Sequence, residues 1–406
     1  MTMSRTTHLL HLSMLVTFAL SAVAFAGDQR RFKSGAYDIT TDLPEEKAAE
    51  LARHMDAVHA EYTRRFAKFG KRNAEPLRLW VFETQQGYME FLAGHEINAI
   101  GSSGMFFRRD DASGLASFLG NRPESKMYET LRHEGMHQFL YQRIGDTLPT
   151  WLNEGMAEWF GYALQTERGF EMGLADAHAI ARLQRALEAD TLLPLESLLT
   201  MSHREWNERV RSGSAGGQYD QAWSVVHFLA YADGGRYAGM LDQLLGLFWQ
   251  GYDAPRAIRM VFGTDLSPME SKWKDYIESL EPDELYAARD MLDAWGHVLL
   301  ALDSIGVRPK TLDEFDAALA EHGHGLDIPR TLMTTSGELE LILESDAWWR
   351  SLPKSAKTGR AAVLRLIPDR RGRQPSSVEL RGLKRLVRLE WKKNGEGKPS
   401  PSVVVH

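Results

Sequence analysis

Five consecutive residues, His133-Glu134-Gly135-Met136-His137, set two imidazoles four positions apart with a carboxylate beside them. On a helix, positions i and i+4 share a face, so both imidazoles can reach one ion. Glu134 can reach a water on that ion and take its proton as the water attacks a carbonyl. The pentapeptide alone is a weak signal. It gains weight from Glu154, seventeen positions after His137, within Trp151-Leu152-Asn153-Glu154-Gly155-Met156-Ala157-Glu158. A helix–loop–helix return sets the second helix antiparallel to the first, and Glu154 can then supply a third ligand. Three protein ligands with an open fourth position is the catalytic form of zinc, whereas structural zinc sites are closed. The chain has no cysteine, so thiolate sites are excluded. The same N/O donor set also accepts other first-row ions.

These residues need two helices to carry them. A helix is expected from about 124 to 144, with Asn121 and Glu124 spaced as a capping box and Gly145 at its end. A second is expected from about 149 to 164, with Pro149 in its first turn. Upstream, Leu51, Met55, Val58, Tyr62 and Phe66 form an apolar stripe on a helix within 44–70. Its histidines, His54 and His59, read as surface or internally satisfied groups. Leu77–Phe82, Gly104–Phe107 and Gly114–Leu119 read as strands, with Asp110, Asp111 and Ser113 forming a hairpin turn. From Leu174 to about 281 the pattern is helical, and it stays helical but more polar to His324. Beyond Gly337 the periodicity changes to that of strands, at 338–343, 361–367 and 378–391.

The H-E-x-x-H and W-L-N-E-G-x-A-E segments together resemble the gluzincin metallopeptidases, the group of thermolysin-like enzymes and zinc aminopeptidases. The resemblance is specific over 131–160 and looser over 36–281. It implies an α+β, zincin-like catalytic domain: a small twisted sheet, an active-site helix and a mainly helical subdomain. It implies Zn2+ on His133, His137 and Glu154, with Glu134 as general base. Glu158, one turn beyond Glu154, would orient the imidazole of His133. Asn153 is a weaker candidate for a similar supporting role. The strand two before the active-site helix would be an exposed edge that binds substrate by strand addition, here Gly104, Met105 and Phe106. Zinc aminopeptidases carry an acid in a G-x-M-E-N segment on that strand. This chain has Gly104-Met105-Phe106-Phe107-Arg108 instead, which favours internal cleavage. Tyr219 is the first candidate to donate to the developing oxyanion, and His227, about two turns further on, is the second.

The remaining sequence sets the context. Arg5, the apolar run from Leu9 to Leu20 and Ala24-Phe25-Ala26 read as a signal peptide cleaved after Ala26, which predicts a secreted or periplasmic protein. Net charge is −7. Lys354–His406 holds 14 Lys and Arg against 4 Asp and Glu, a net of +10, leaving −17 for the rest. The basic face is expected to be solvated, to hold the protein near an anionic envelope surface, or to bind the acidic body. Export argues against nucleic acid as a partner. The expected division is a signal peptide (1–26), a catalytic domain (36–281), a helical extension (282–330) and a basic β-rich module (331–406). A peptide or protein substrate is favoured. A hydrolase of a non-peptide amide or ester fits the same constellation, as does a non-catalytic binding protein with a retained metal site.

Overall fold

The computed structural model describes residues 29–71, 76–109, 112–120, 122, 124–212, 215–326, 328, 331–334, 337–340, 351–393 and 397–406. The signal-peptide segment, Asp110, Asp111, Asn121 and 341–350 lie outside them. The fold is α+β, with two larger sheets and a helical body.

The first sheet holds β1 (Arg30–Lys33), β2 (Tyr37–Thr41), β3 (Leu77–Phe82), β4 (Gly104–Arg108) and β5 (Ser113–Phe118), in the order β1-β2-β3-β5-β4. β2, β3 and β5 run parallel, and the flanking strands β1 and β4 are antiparallel to their neighbours. Alternation decides the two faces. Tyr37, Ile39, Leu79 and Val81 pack against Leu51 and Met55 of α1 (Glu45–Arg65) and Met127 and Leu131 of α3 (Glu124–Arg143). Phe82, Phe107 and Phe118 pack on the other side against Tyr88, Phe91 and Leu92 of α2 (Gln85–Gly94). Neither β1, β2 nor α2 stands out in the hydrophobic pattern, because each is short.

Gly145, with φ 89°, closes α3 by a bond from its N–H to Tyr141 O. The chain returns in α4 (Thr150–Gly161), then a hairpin of β6 (Leu164–Thr166) and β7 (Gly169–Glu171). The helical body follows as α5 (Ala177–Glu188), α6 (Leu195–Thr200), α7 (His203–Arg211), α8 (Ala215–Gly235), α9 (Ala238–Trp249), α10 (Ala254–Phe262), α11 (Ser267–Ser279), α12 (Glu284–Ser304) and α13 (Leu312–His322). Its starts are written locally. Ser202 and Glu205 form a capping box on α7, and Asp176, Asp253, Asp283 and Thr311 each accept a first-turn N–H.

β8 (Thr331–Thr334) and β9 (Gly337–Glu340) form a separate hairpin. The C-terminal strands β10 (Val363–Ile367), β11 (Ser377–Arg381), β12 (Val387–Lys393) and β13 (Pro399–Val405) join β6 and β7 in one sheet, β10-β11-β12-β13-β6-β7. Leu380, Leu383, Leu386 and Leu389 recur every third residue in the sequence, which fits neither a strand nor a helix, and in the fold they sort by strand. Leu380 lies buried on β11 and Leu389 on β12, with Leu383 in the turn between. The expected division between residues 330 and 331 does not divide the core. Val378, Leu380, Val387, Leu389 and Val405 share one apolar cluster with Trp151, Trp223 and Trp295. Part of the basic face meets the acidic body directly: Arg385 with Glu171 at 3.1 Å, Lys384 with Asp283 at 2.8 Å and Lys392 with Glu50 at 3.0 Å. Among the described residues no helix is long and apolar enough to cross a membrane.

Candidate metal centre

α3 and α4 pack side by side and turn His133, His137 and Glu154 toward one point. Nε2 of His133 and Nε2 of His137 are 3.2 Å apart. Oε2 of Glu154 lies 3.6 Å from the first and 3.4 Å from the second. Zinc bonds of about 2.1 Å in a tetrahedral arrangement place ligand atoms roughly 3.4 Å apart. The three donors are therefore spaced so that they could hold one metal ion of that size. All three side chains are half-buried.

Electrostatics favour a cation here. Burial alone would lower the His133 imidazole. The charge of Glu158, the hydrogen bond to Glu154 and the charges of Glu134 and Glu154 outweigh it and raise His133 to about 10. His137 is raised for the same reason, against its burial, chiefly by Glu154. Burial would raise Glu154, but the two imidazoles hold it well below the usual carboxylate range. Glu158 stands 3.5 Å from Nδ1 of His133, on the side away from the ligand atoms. Burial raises its carboxyl, and the negative charges of Glu129, Glu154 and Asp220 add to this. Nδ1 of His137 is buried with no hydrogen-bond partner among the described residues. Only one of the two imidazoles thus has a carboxylate to orient it.

Glu134 points to the sheet. Its Oε2 accepts a 2.7 Å hydrogen bond from the backbone N–H of Phe106 on β4. Among the described residues β4 pairs only with β5, which makes it an edge strand, and this N–H faces the unpaired side. Gly104 is buried, and Met105 and Phe106 are half-buried. Arg108, at the strand end, is held by Asp146 at 2.7 Å and lies over the Tyr141 ring at 3.9 Å.

Two features hold the helices in place. α8 crosses α4 at Gly155, where an added Cβ would stand 2.4 Å from Ala222 O and 2.8 Å from Val226. Arg132, buried beside His133, donates to Phe160 O at 3.2 Å and Gly161 O at 2.9 Å, tying α3 to the last turn of α4. Sequence reasoning missed both. Gly155 was visible within the motif, but its partner helix lies some seventy positions away. Gly135 faces α1, with Tyr62 Oη 3.3 Å from an added Cβ, a close approach but not a forbidden one.

Of the two candidates on α8, Tyr219 feels the charges of the site's carboxylates and His227 is bonded elsewhere. The Tyr219 ring packs edge-on against Trp206, with centroids 5.2 Å apart. Burial raises its phenol, as do the charges of Glu154, Glu158 and Glu134, so it stays protonated and able to donate. His227 is a buried core histidine. Its Nε2 meets Gly173 O at 3.1 Å and its Nδ1 meets Tyr276 Oη at 2.7 Å, among the rings of Trp223 and Tyr231. Both of its nitrogens are committed away from the metal ligands. Asn153 is half-buried on α4, and its side chain bonds no described residue. His54, on α1, is buried with Nδ1 2.6 Å from Gln165 Oε1.

Comparison with known proteins adds a boundary and no activity. No curated protein matches the chain. Residues 127–244, under half of it, match the model of a family described as a protein of unknown function, DUF1570. That span carries every residue of the metal centre, together with Glu158 and Tyr219.

Proposed function

We propose that this protein is a zinc-dependent peptidase that cleaves within peptide chains. One observation carries the reading: the donor atoms of His133, His137 and Glu154 converge while Glu134, on the same helix, is bonded to the free edge of β4. A zinc ion held by those three residues would supply Lewis acidity, acidifying a water and polarising the scissile carbonyl. Glu134 takes the proton from the attacking water and passes it to the leaving amine. An extended substrate lies along β4 as an added strand, bound through main-chain groups. As the substrate settles, Glu134 exchanges the Phe106 N–H for the water. Tyr219 donates its phenolic hydrogen to the oxygen that gains charge. Glu158 keeps the His133 ring aimed.

Internal cleavage is favoured because β4 offers no acid to hold a free substrate amine, and its one charged residue, Arg108, is engaged by Asp146 and Tyr141. Export by a cleaved leader belongs to the same proposal and would present the enzyme with extracytoplasmic peptides or proteins. The test is a peptide-library cleavage profile of the zinc-loaded protein run beside Glu134→Gln. Cleavage by the wild type alone is expected. No cleavage by either protein, with zinc bound, would remove the peptidase reading.

A further inference from the structure

A cavity of about 480 Å³ opens between α1, the start of α3, α12 and β13. None of the three metal-binding residues lines it. Six Lys and Arg side chains do, against three carboxylates. Two of the carboxylates are already neutralised, Glu124 by Lys47 and Glu50 by Lys392. The third, Asp293, accepts from Ser125 Oγ at 3.0 Å, and burial raises it to about 7, so it brings only part of a charge near neutrality.

Four guanidinium groups, from four parts of the chain, bond to none of the carboxylates that line the cavity. Arg53 on α1 is exposed and has no ion pair among the described residues. Arg122 and Arg132 are bonded to backbone carbonyls and hydroxyls and to no carboxylate. Arg289 on α12 is buried, ion-paired at 3.3 Å with Asp290, which does not line the cavity, and stacked over the Tyr286 ring at 4.1 Å. Burial lowers Arg122 to about 10. The first turn of α3, through Glu124 and Ser125, also lines the space and adds the positive end of a helix of 20 residues.

We propose that this cavity is a binding site for a phosphate group, carried by a small soluble ester or by a lipid headgroup. A carboxylate offers one planar edge and satisfies one guanidinium fork. A tetrahedral phosphate offers oxygens in several directions and matches cations that arrive from α1, α3, α12 and the loop before α3. The volume suits a small organic phosphate, since ligand pockets usually run from about 300 to 1,000 Å³.

The test is calorimetric titration of the zinc-loaded protein with glycerol 3-phosphate, with flotation on phosphatidic-acid vesicles as a second arm. Saturable binding of the ester is expected, at one site per chain. Binding of vesicles but not of the ester would assign the phosphate to a lipid and uphold the site. Arg53→Ala, at an exposed position that leaves folding intact, should weaken binding about ten-fold, and Arg53→Lys should restore part of it. Arg289→Gln should weaken it further if it folds. His137→Ala, which spoils the metal centre, should bind phosphate as the wild type does. Binding by neither arm, equal binding by Arg53→Ala and wild type, or loss in His137→Ala would overturn the proposal. The last result would place the phosphate on the metal.

Discussion

Oε2 of Glu134 lies 2.7 Å from the backbone nitrogen of Phe106 and accepts its hydrogen. The carboxylate between the two histidines is thereby tied to the free edge of the sheet, where an extended substrate would add. Glu134→Gln keeps an oxygen to accept that N–H but cannot take a proton. Turnover should fall by about 10²–10⁴-fold. Zinc content and melting temperature should stay near wild type, as metal analysis and calorimetry would show. A fall in bound zinc that matches the fall in rate would mean Glu134 acts on the metal site and not on the proton.

Tyr219→Phe removes one oxygen and keeps the ring against Trp206. Turnover should drop roughly ten-fold or more with zinc retained and KM little changed. An unchanged kcat would take Tyr219 out of the mechanism.

Glu158 is the only carboxylate that faces Nδ1 of His133 among the described residues, and His137 has no counterpart. Glu158→Gln should therefore weaken zinc binding by about 10–100-fold, read by competition with a chelating dye. Equal affinity would make Glu158 a bystander.

Gly155 and Gly135 lie on the two helices of the metal centre and should respond differently to alanine. At Gly155 the methyl would meet a carbonyl oxygen at 2.4 Å, so α4 and α8 must part. Overpacking of this kind costs about 1–3 kcal/mol. Gly155→Ala should lower the melting temperature by several degrees and weaken zinc binding through Glu154. At Gly135 the nearest atom is a hydroxyl at 3.3 Å, so Gly135→Ala should cost little. Differential scanning calorimetry of the pair compares them directly, and equal effects would contradict the packing argument.

His227 sets a pH dependence. Burial lowers it to about 4 in the folded state, against a hydrogen bond to Gly173, while the unfolded residue titrates near its ordinary 6.5. Between these values the unfolded state holds more protons, so stability falls as pH falls. His227→Gln removes that contribution. Urea midpoints taken from about pH 7 down to about pH 5 should decline less steeply in the variant than in the wild type. Parallel declines would show that His227 is not kept neutral.

Several parts of the fold were legible in the chain. The sequence pattern marked α1, α3, α4 and the strands β3, β4 and β5, since each buries one face against a neighbour and repeats at its own spacing. The short β1, β2, β6 and β7 were not visible. Each has only three to five residues, too few to show a period, whereas β4, no longer, was marked by the hairpin turn beside it. The joining of β13 to β6 was also hidden, because it pairs residues more than two hundred positions apart.

For the site, the sequence by itself determined the donor types and their spacing on two helices. His133, Glu134 and His137 share one turn, and Glu154 and Glu158 share another, so helix geometry alone groups them. Only the tertiary structure decided which groups met. Tyr219 and His227 lie eight positions apart on α8, about two turns, and pattern could not separate them. The packing of α8 against α4 at Gly155 leaves the phenol within the field of Glu154, Glu158 and Glu134 and buries the imidazole among Gly173, Tyr276 and Trp223. The cavity with its four arginines arises in the same way, from residues of α1, α3 and α12 that no local signal connects. Local spacing is written in the chain, whereas the meeting of distant faces depends on how the whole core packs.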